Sequence, residues 1–533
     1  MTQAKQIIMN NMTKFQIGTK VGHRVQEHLF VMKSIIALYL KHGLPVFVQL
    51  YDISKFFDRE NLRDGMDALF NYGIQGKIYR LIYNMNKDTI IRVRTAVGTT
   101  EKHETGENIG QGTLEGAVVS AASLDYTVNK FFSESKHELS YGSVNLQPLL
   151  FQDDIGRIST SLEDVQVGNS KLESLMETKL LDFNLDKSCL IVMGNRGKRK
   201  QANEQLKSFP VTLCNKAMKV ADHEKYLGDI LSSEGLSQSV FLTVLRRKPQ
   251  VINSIFEVNT VIEDCRTNLV GGLTAGLEIW ELSIIPFLLN NSETWVEIDK
   301  KTLDMLDNMQ FMFLRYLFKT PRTCPKPALL WESGAMQMSH RIAIRKLMFL
   351  HHLTNLPSNS LAYEVKQVQE KLAYPGLIKE CNDLIECYGL PEPHGLSKNT
   401  WKCQVKRSVR IKSRIGLLDS IKRYSKIDAK QLLKEEYKMK SYILALNVPD
   451  ARLKFALRAK MLRSVKMNFK GVKEYANCNW ECDTCNVPDT QEHLFECKAY
   501  SNLRNGKDLR NDKEIVDYVR QIVVLRSSDC SGT

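Results

Sequence analysis

Three carboxylates and one cysteine cluster carry the chemistry that this sequence could perform. Asp52 closes the apolar run VFVQLYD, and Asp153 and Asp154 lie between LLF and IGRI. A carboxylate at the end of an apolar strand is costly unless something binds it. Phosphoryl transfer supplies the reason: two Mg²⁺ ions roughly 4 Å apart clamp the attacking and leaving oxygens, and hard cations demand carboxylate ligands. One aspartate from each of two adjacent strands would build that clamp. On a straight strand Asp153 and Asp154 would point to opposite faces. A tight hairpin at this point would let one coordinate directly and the other assist. Turns are often acidic for other reasons, so the pair alone names no site.

The second cluster is Cys482-x2-Cys485-x7-His493-x3-Cys497. Three thiolates and one imidazole fill a tetrahedral Zn²⁺ site, and the C-x2-C spacing lets one turn supply two ligands. Cys478 is close enough to be a spare ligand. Cys189, Cys214, Cys265, Cys324, Cys381, Cys387, Cys403 and Cys530 show no such spacing, and most read as small buried apolar groups. Scattered cysteines without a secretory leader point to a reducing compartment. No apolar run approaches the roughly 18 residues of a membrane span, so no membrane partner is expected.

The elements that must position these residues follow from periodicity. Glu27 to Lys41 reads as a helix, Gly43 and Pro45 break it, and VFVQLYDI follows as a buried strand. Leu62 to Asn84 reads as helices with a turn at Tyr72–Gly73, and Thr89 to Val97 as strand. An apolar helix, AVVSAASLDYTVNKFF, follows Gly116. Leu149 to Ser159 reads strand–turn–strand, Asp164 to Phe183 as helix, and SCLIVMG as strand. From about Ser237 the β signals fade and helices run to about Lys470, with a linker at Pro391–Glu392–Pro393. The fold class implied is α+β, a mixed catalytic domain followed by helical ones.

At 533 residues the chain exceeds one core, so two to four domains are expected. Its net charge of +14 favours a polyanionic partner such as nucleic acid. Lys398 to Lys473 holds 22 Lys/Arg against 5 Asp/Glu, more than the whole-chain excess. Ile411, Ile415, Leu417, Leu418 and Ile421 interleave with these charges, which reads as amphipathic helices with a cationic outer face.

The order of several motifs resembles the reverse transcriptases of non-LTR (LINE-type) retrotransposons. DISKFFD (Asp52 to Asp58) is similar to their motif A, and FQDD (Phe151 to Asp154) to motif C. GTLEGAVVS (Gly112 to Ser120) resembles motif B, FNLDKSCLIVMG (Phe183 to Gly194) motif D, and EKYLGDIL (Glu224 to Leu231) the motif E primer grip. KFQIGTKVGHRVQEHLF resembles the segment before motif A. LLNNSETW and the helix around LDMLDNMQFMFLRYLF resemble the LINE thumb, and PDTQEHLFECKAY the C-terminal CCHC knuckle.

The resemblance implies a right-hand polymerase: an antiparallel palm sheet with packed helices, an all-α thumb and helical connector, and a small zinc knuckle. The boundaries expected are 1–235 for partial fingers and palm, 236–390 for thumb, 391–473 for the basic connector, 474–500 for the knuckle and 501–533 for a tail. It implies Asp52 and Asp153 as principal ligands of two Mg²⁺, with Asp154 supporting. Phe57 falls at the steric gate, where a ring beneath the sugar excludes a 2′-OH; a core role for that ring is the alternative. Gly116 and Ser120 would face nucleotide or template. Lys187 matches the lysine that protonates pyrophosphate, or is a solvated strand-end lysine. Tyr226, Leu227 and Gly228 would hold the primer end.

Two departures stand out. Glu115 replaces the usual motif B glutamine in the preferred register; Gln111–Gly112 is the alternative register. About fifty residues precede Asp52 and 36 follow Cys497, so an N-terminally truncated copy without outer fingers or either endonuclease is expected. The function implied is RNA-directed DNA polymerase in target-primed reverse transcription, with template RNA, a DNA primer or target and dNTPs as partners. It would act in the nucleus and travel as a cytoplasmic ribonucleoprotein. The alternative is a catalytically inactive, retrotransposon-derived nucleic-acid-binding protein.

Overall fold

The computed structural model describes residues 2–104, 109, 113, 115–133, 139–264, 270–423, 435–462, 464–466 and 479–529. The elements used below are, in chain order, α1 (Val25–Lys41), β1 (Val46–Tyr51), α2 (Leu62–Asn71), α3 (Gly116–Phe132), β2 (Leu149–Phe151), β3 (Asp154–Ser159), α4 (Leu162–Lys179), β4 (Cys189–Met193), β5 (Lys219–Val220), β6 (His223–Tyr226), β7 (Asp229–Ser232), α5 (Leu236–Asp264), α6 (Lys300–Phe318), α7 (Met338–Thr354), α8 (Lys398–Ile421), α9 (Val448–Arg458) and α10 (Asp512–Asp529).

Sheet and helix are mixed, with the strands confined to the N-terminal half of the described residues. The central sheet runs β5-β4-β1-β3-β2, antiparallel except for the β4–β5 pair. Its strands are apolar because both faces are covered. Val46, Val48 and Leu50 of β1, with Cys189, Ile191 and Met193 of β4, face α1 and α7. Phe47 and Tyr51, with Leu190 and Val192, face α3 and α4. This is the period of two read through two buried faces. The polar residues between them are satisfied: Arg157 donates to Gln49 (3.0 Å), Ser159 (2.6 Å) and Asp164 (2.6 Å).

Thr89 to Val97 departs from the expected strand. It holds only two-residue ladders, Ile90–Ile91 and Arg94–Thr95, in exposed hairpins. β-branched residues there have no face to bury, so propensity alone extends no sheet.

The hydrophobic cores run across the domain boundaries expected from sequence. Leu347, Phe349, Leu350 and Leu353 of α7, with Trp401, Val405 and Val409 of α8, join the core beneath the sheet. A second core joins α5 and α6 to Leu417, Leu418 and Ile421 at the other end of α8, and to Phe455 of α9. Thus α8 spans both cores. Ile411 and Ile415 are each 51% exposed, so these two lie on its cationic outer face and not in a core. Residues 501–529 are no loose tail: Tyr518, Val519 and Ile522 of α10 share a core with Leu457 and Leu494. Among the described residues, no helix is long and apolar enough to cross a membrane.

Candidate functional site

The three aspartates meet at the ends of adjacent central strands. The β1–β3 register ends at Tyr51↔Ile155, so Asp52 follows the last pair on one strand and Asp154 precedes it on the other. β2 and β3 form a hairpin paired at Phe151↔Asp154, with Gln152 and Asp153 as its turn. Gln152 takes a left-handed φ of 58°, the bend that a two-residue turn needs and a straight strand would not allow. Asp52 is fixed through its backbone: its N–H donates to Ser188 Oγ (3.1 Å), and its carbonyl accepts from Asn184 N–H (2.8 Å).

Two clefts open on this point. One, of about 690 Å³, is lined by Asp52, Asp153, Phe57, Lys55, Asn184 and Lys187 among others. The other, of about 540 Å³, is lined by Asp52, Asp154, Lys187, Lys225 and the segment Tyr226–Gly228. Burial, then the charges of Asp153 and Asp52, push Asp154 up to about 6. Burial and the charge of Asp52 raise Asp153. Lys187 Nζ lies 3.5 Å from Asp52 Oδ2, a half-exposed pair that screens the cluster without neutralising it. Crowded, incompletely compensated carboxylates fit divalent cations with oxygen preference.

Phe57 sits on the helical turn Phe56–Arg59. Phe56 is buried, while Phe57 is half-buried and packs edge-on against it at 5.6 Å, leaving its ring on the first cleft. Tyr226 turns inward: it is buried, with its hydroxyl where a Cβ on Gly156 would stand. Leu227 and Gly228 form the β6–β7 turn, both at positive φ. Their carbonyls accept from Asn291 Nδ2 (2.9 Å) and from an Arg247 guanidinium nitrogen (2.8 Å).

Gly116 and Ser120 lie on α3, whose buried face packs against α2; Ser120 is buried and lines neither cleft. Glu115 is buried at the start of α3. Gln111, Gly112 and Cys478 lie outside the described residues.

The chain holds a Cys₃His group able to bind a metal. Ligand atoms of Cys482, Cys485, His493 and Cys497 all lie within 4.8 Å of one another. The Cys497 sulfur stands 3.8 Å from Cys482 and 3.7 Å from Cys485. Two sulfurs bound tetrahedrally at about 2.3 Å from zinc would be about 3.8 Å apart. His493 Nε2 is buried without a hydrogen-bond partner among the described residues, which suits a metal ligand. Burial pushes the Cys497 thiol up to about 11, whereas hydrogen bonds hold the Cys482 and Cys485 thiols below their usual value. Of the remaining described cysteines, Cys189, Cys324 and Cys381 are buried, but Cys214, Cys387 and Cys403 are exposed.

No family model matches the chain, and no curated protein matches it. Telomerases are among the solved structures similar to it. Apo telomerase from Candida tropicalis covers 76% of this chain and 58% of its own, at 10% identity and a TM-score of 0.35. Telomerase from Candida albicans, solved with a fragment of telomeric RNA, covers 73% and 54%, at 11% identity and a TM-score of 0.34. The Candida tropicalis enzyme truncated from its C-terminal domain covers 44% and 43%, at a TM-score of 0.31. The chain thus spans about half the length of these telomerases. At such values the likeness assigns it neither fold nor activity.

Sequence reasoning missed Lys225, whose charge acts on Asp154, and Lys55, an exposed lysine in the first cleft with a left-handed φ of 48°. It also missed Asp229, only 1% exposed. Asp229 accepts from Lys33 Nζ (2.6 Å), Trp295 Nε1 (3.2 Å) and Arg247 (3.3 Å), which explains the Trp of SETW. An acid inside the apolar strand GDIL, with no ligand-like neighbour in sequence, was the available signal.

Proposed function

We propose that the chain is an RNA-directed DNA polymerase of non-LTR retrotransposon type, extending a DNA primer on an RNA template. The observation that carries this reading is the meeting of Asp52, Asp153 and Asp154 on clefts that also expose Phe57 and Lys187. The primer 3′-OH attacks the α-phosphorus of a dNTP, and pyrophosphate leaves. Asp52 and Asp153 would hold two Mg²⁺ with Asp154 in support, and the ions when bound would offset charge on the attacking and leaving oxygens. Lys187, within reach of Asp52, is the cation at hand to give pyrophosphate its proton. The Phe57 ring, which lines the first cleft, would exclude a 2′-OH on this reading. The β6–β7 turn, anchored to Arg247 and Asn291, is the rigid element against which a primer end would rest.

The proposed division is fingers and palm to residue 235, thumb to 390, basic connector to 473 and knuckle to 500. Zn²⁺ would be structural, held by Cys482, Cys485, His493 and Cys497. The exposed cations of α8 (Lys402, Lys406, Arg407, Arg410 and Lys412) suit a phosphate backbone.

Primer extension by the purified chain tests this. With RNA template, DNA primer, dNTPs and Mg²⁺, the wild type should extend and Asp153→Asn should not. A wild type that binds RNA yet never extends would favour the second reading, an inactive nucleic-acid-binding protein. Buried Glu115, at the position of the motif B glutamine, is the observation behind that alternative.

A further inference from the structure

We infer that Gln16 is a positioning residue for the metal-binding hairpin, holding Asp153 and Asp154 in place through the backbone of Gln152. This rests on the polymerase reading. Asp153 and Asp154 follow a residue in the left-handed region, a conformation that is costly for a side-chain-bearing residue and must be imposed from outside. Gln16 imposes it. Its Oε1 accepts from Gln152 N–H (3.0 Å), and its Nε2 donates to the Gln152 carbonyl (3.1 Å). One side chain therefore grips both polar groups of the residue before Asp153.

Gln16 is itself immobile. It is wholly buried, and its Oε1 also accepts from Gly18 N–H (3.0 Å). Its neighbours pair with β2: Ile17 N–H donates to the Leu150 carbonyl (3.2 Å), and Leu150 N–H to the Phe15 carbonyl (2.9 Å). Upstream, Thr13 N–H donates to Asp125 of α3 (2.8 Å). The strap from Thr13 to Gly18 is thus fixed to α3 at one end and to the hairpin at the other. Gly18 completes the fit: a Cβ there would stand 2.4 Å from Gln152 N and 2.8 Å from its Cγ. Groups that orient metal ligands without touching the metal usually shift metal affinity or activity by about ten- to a hundredfold when removed.

Mn²⁺ titration of the full chain, followed by electron paramagnetic resonance, reads the site directly. Asp52→Asn defines the signal belonging to the carboxylates. Gln16→Met keeps volume and burial but loses all three hydrogen bonds. It should weaken Mn²⁺ binding about tenfold or more, and raise the Mg²⁺ needed for half-maximal extension by a similar factor. Its RNA affinity should stay near wild type, while the backbone groups left without partners should lower its Tm. Gly18→Ala should do the same from the opposite side of the contact. Thr19→Val, which removes a hydroxyl with no hydrogen-bond partner just after the strap, should change neither. Should Gln16→Met fail to fold, Gln16→Glu keeps the two accepted bonds, loses the donated one, and should give an intermediate shift. Mn²⁺ affinity unchanged in folded Gln16→Met or Gln16→Glu overturns the inference while leaving the polymerase reading intact. A wild type with no Mn²⁺ signal sensitive to Asp52→Asn overturns both.

Discussion

Phe57 illustrates how much one side chain's surroundings decide. Its neighbour Phe56 is sealed in the core, so the pair does not share one role. Edge-on packing at 5.6 Å gives the Phe57 ring a fixed wall to lean on, which a gate requires. Phe57→Val should therefore admit ribonucleotides. In single-nucleotide extension, the preference for dNTP over rNTP should fall by at least tenfold, with dNTP use reduced far less; an unchanged preference would make the ring merely core. At this scale the sequence shows residue types more readily than their partners. Asp52, Asp153 and Asp154 were visible because each interrupts an apolar run. Lys225 and Gln16 were not, because their importance lies in what they face across the chain. The resemblance puts Tyr226 at the primer; its ring is buried while the segment Tyr226–Gly228 lines the second cleft, a distinction that alternation along β6 settles only once the packing is known.

Among elements, the turn between β6 and β7 depends most on distant support. Lys33 from α1, Arg247 from α5 and Trp295 from the SETW segment all converge on Asp229, with charges almost fully buried. Asp229→Asn keeps the shape but leaves two buried cations uncompensated. Equilibrium denaturation should show a loss of about 3–5 kcal/mol; a loss under about 1 kcal/mol would mean that the packing, and not the charge, sets the turn. Strands and helices were legible wherever a face is buried, as in β1, β4 and α1. They were illegible where tertiary context decides, as at Thr89 to Val97. The exposure of Ile411 and Ile415 has the same origin: α8 passes from one core to another, and at these two positions an apolar residue faces outward.

At the scale of the whole molecule, the cysteine cluster is built into the C-terminal core. Buried Asp489 takes two bonds from Arg526 of α10 (2.9 and 3.0 Å) and one from Lys466 N–H (2.8 Å). Tyr518 donates its hydroxyl to the carbonyl of Leu494, next to His493 (2.5 Å). Chelation of Zn²⁺ should thus loosen α10 together with the knuckle while the central sheet stays folded. Hydrogen exchange after treatment with a strong chelator should speed up over 479–529 and remain unchanged over β1 and β4. Uniform behaviour in both regions would reject zinc as the local organiser. The resemblance implies only a tail from 501 onward; Tyr518, Val519 and Ile522 instead pack into the C-terminal core.

The convergence on Asp229 also sets a schedule for the growing chain. Lys33 donates to Thr294 as well as to Asp229, a contact spanning 261 residues. At roughly 5–20 residues per second, a ribosome needs about 13–50 seconds to supply the second half of that pair. Throughout this interval α1 has been made, but Thr294 and the helix α7 that covers its apolar face have not. The sheet therefore waits half-covered, and whatever shields nascent chains in the cell must shield this one until α7 has left the exit tunnel.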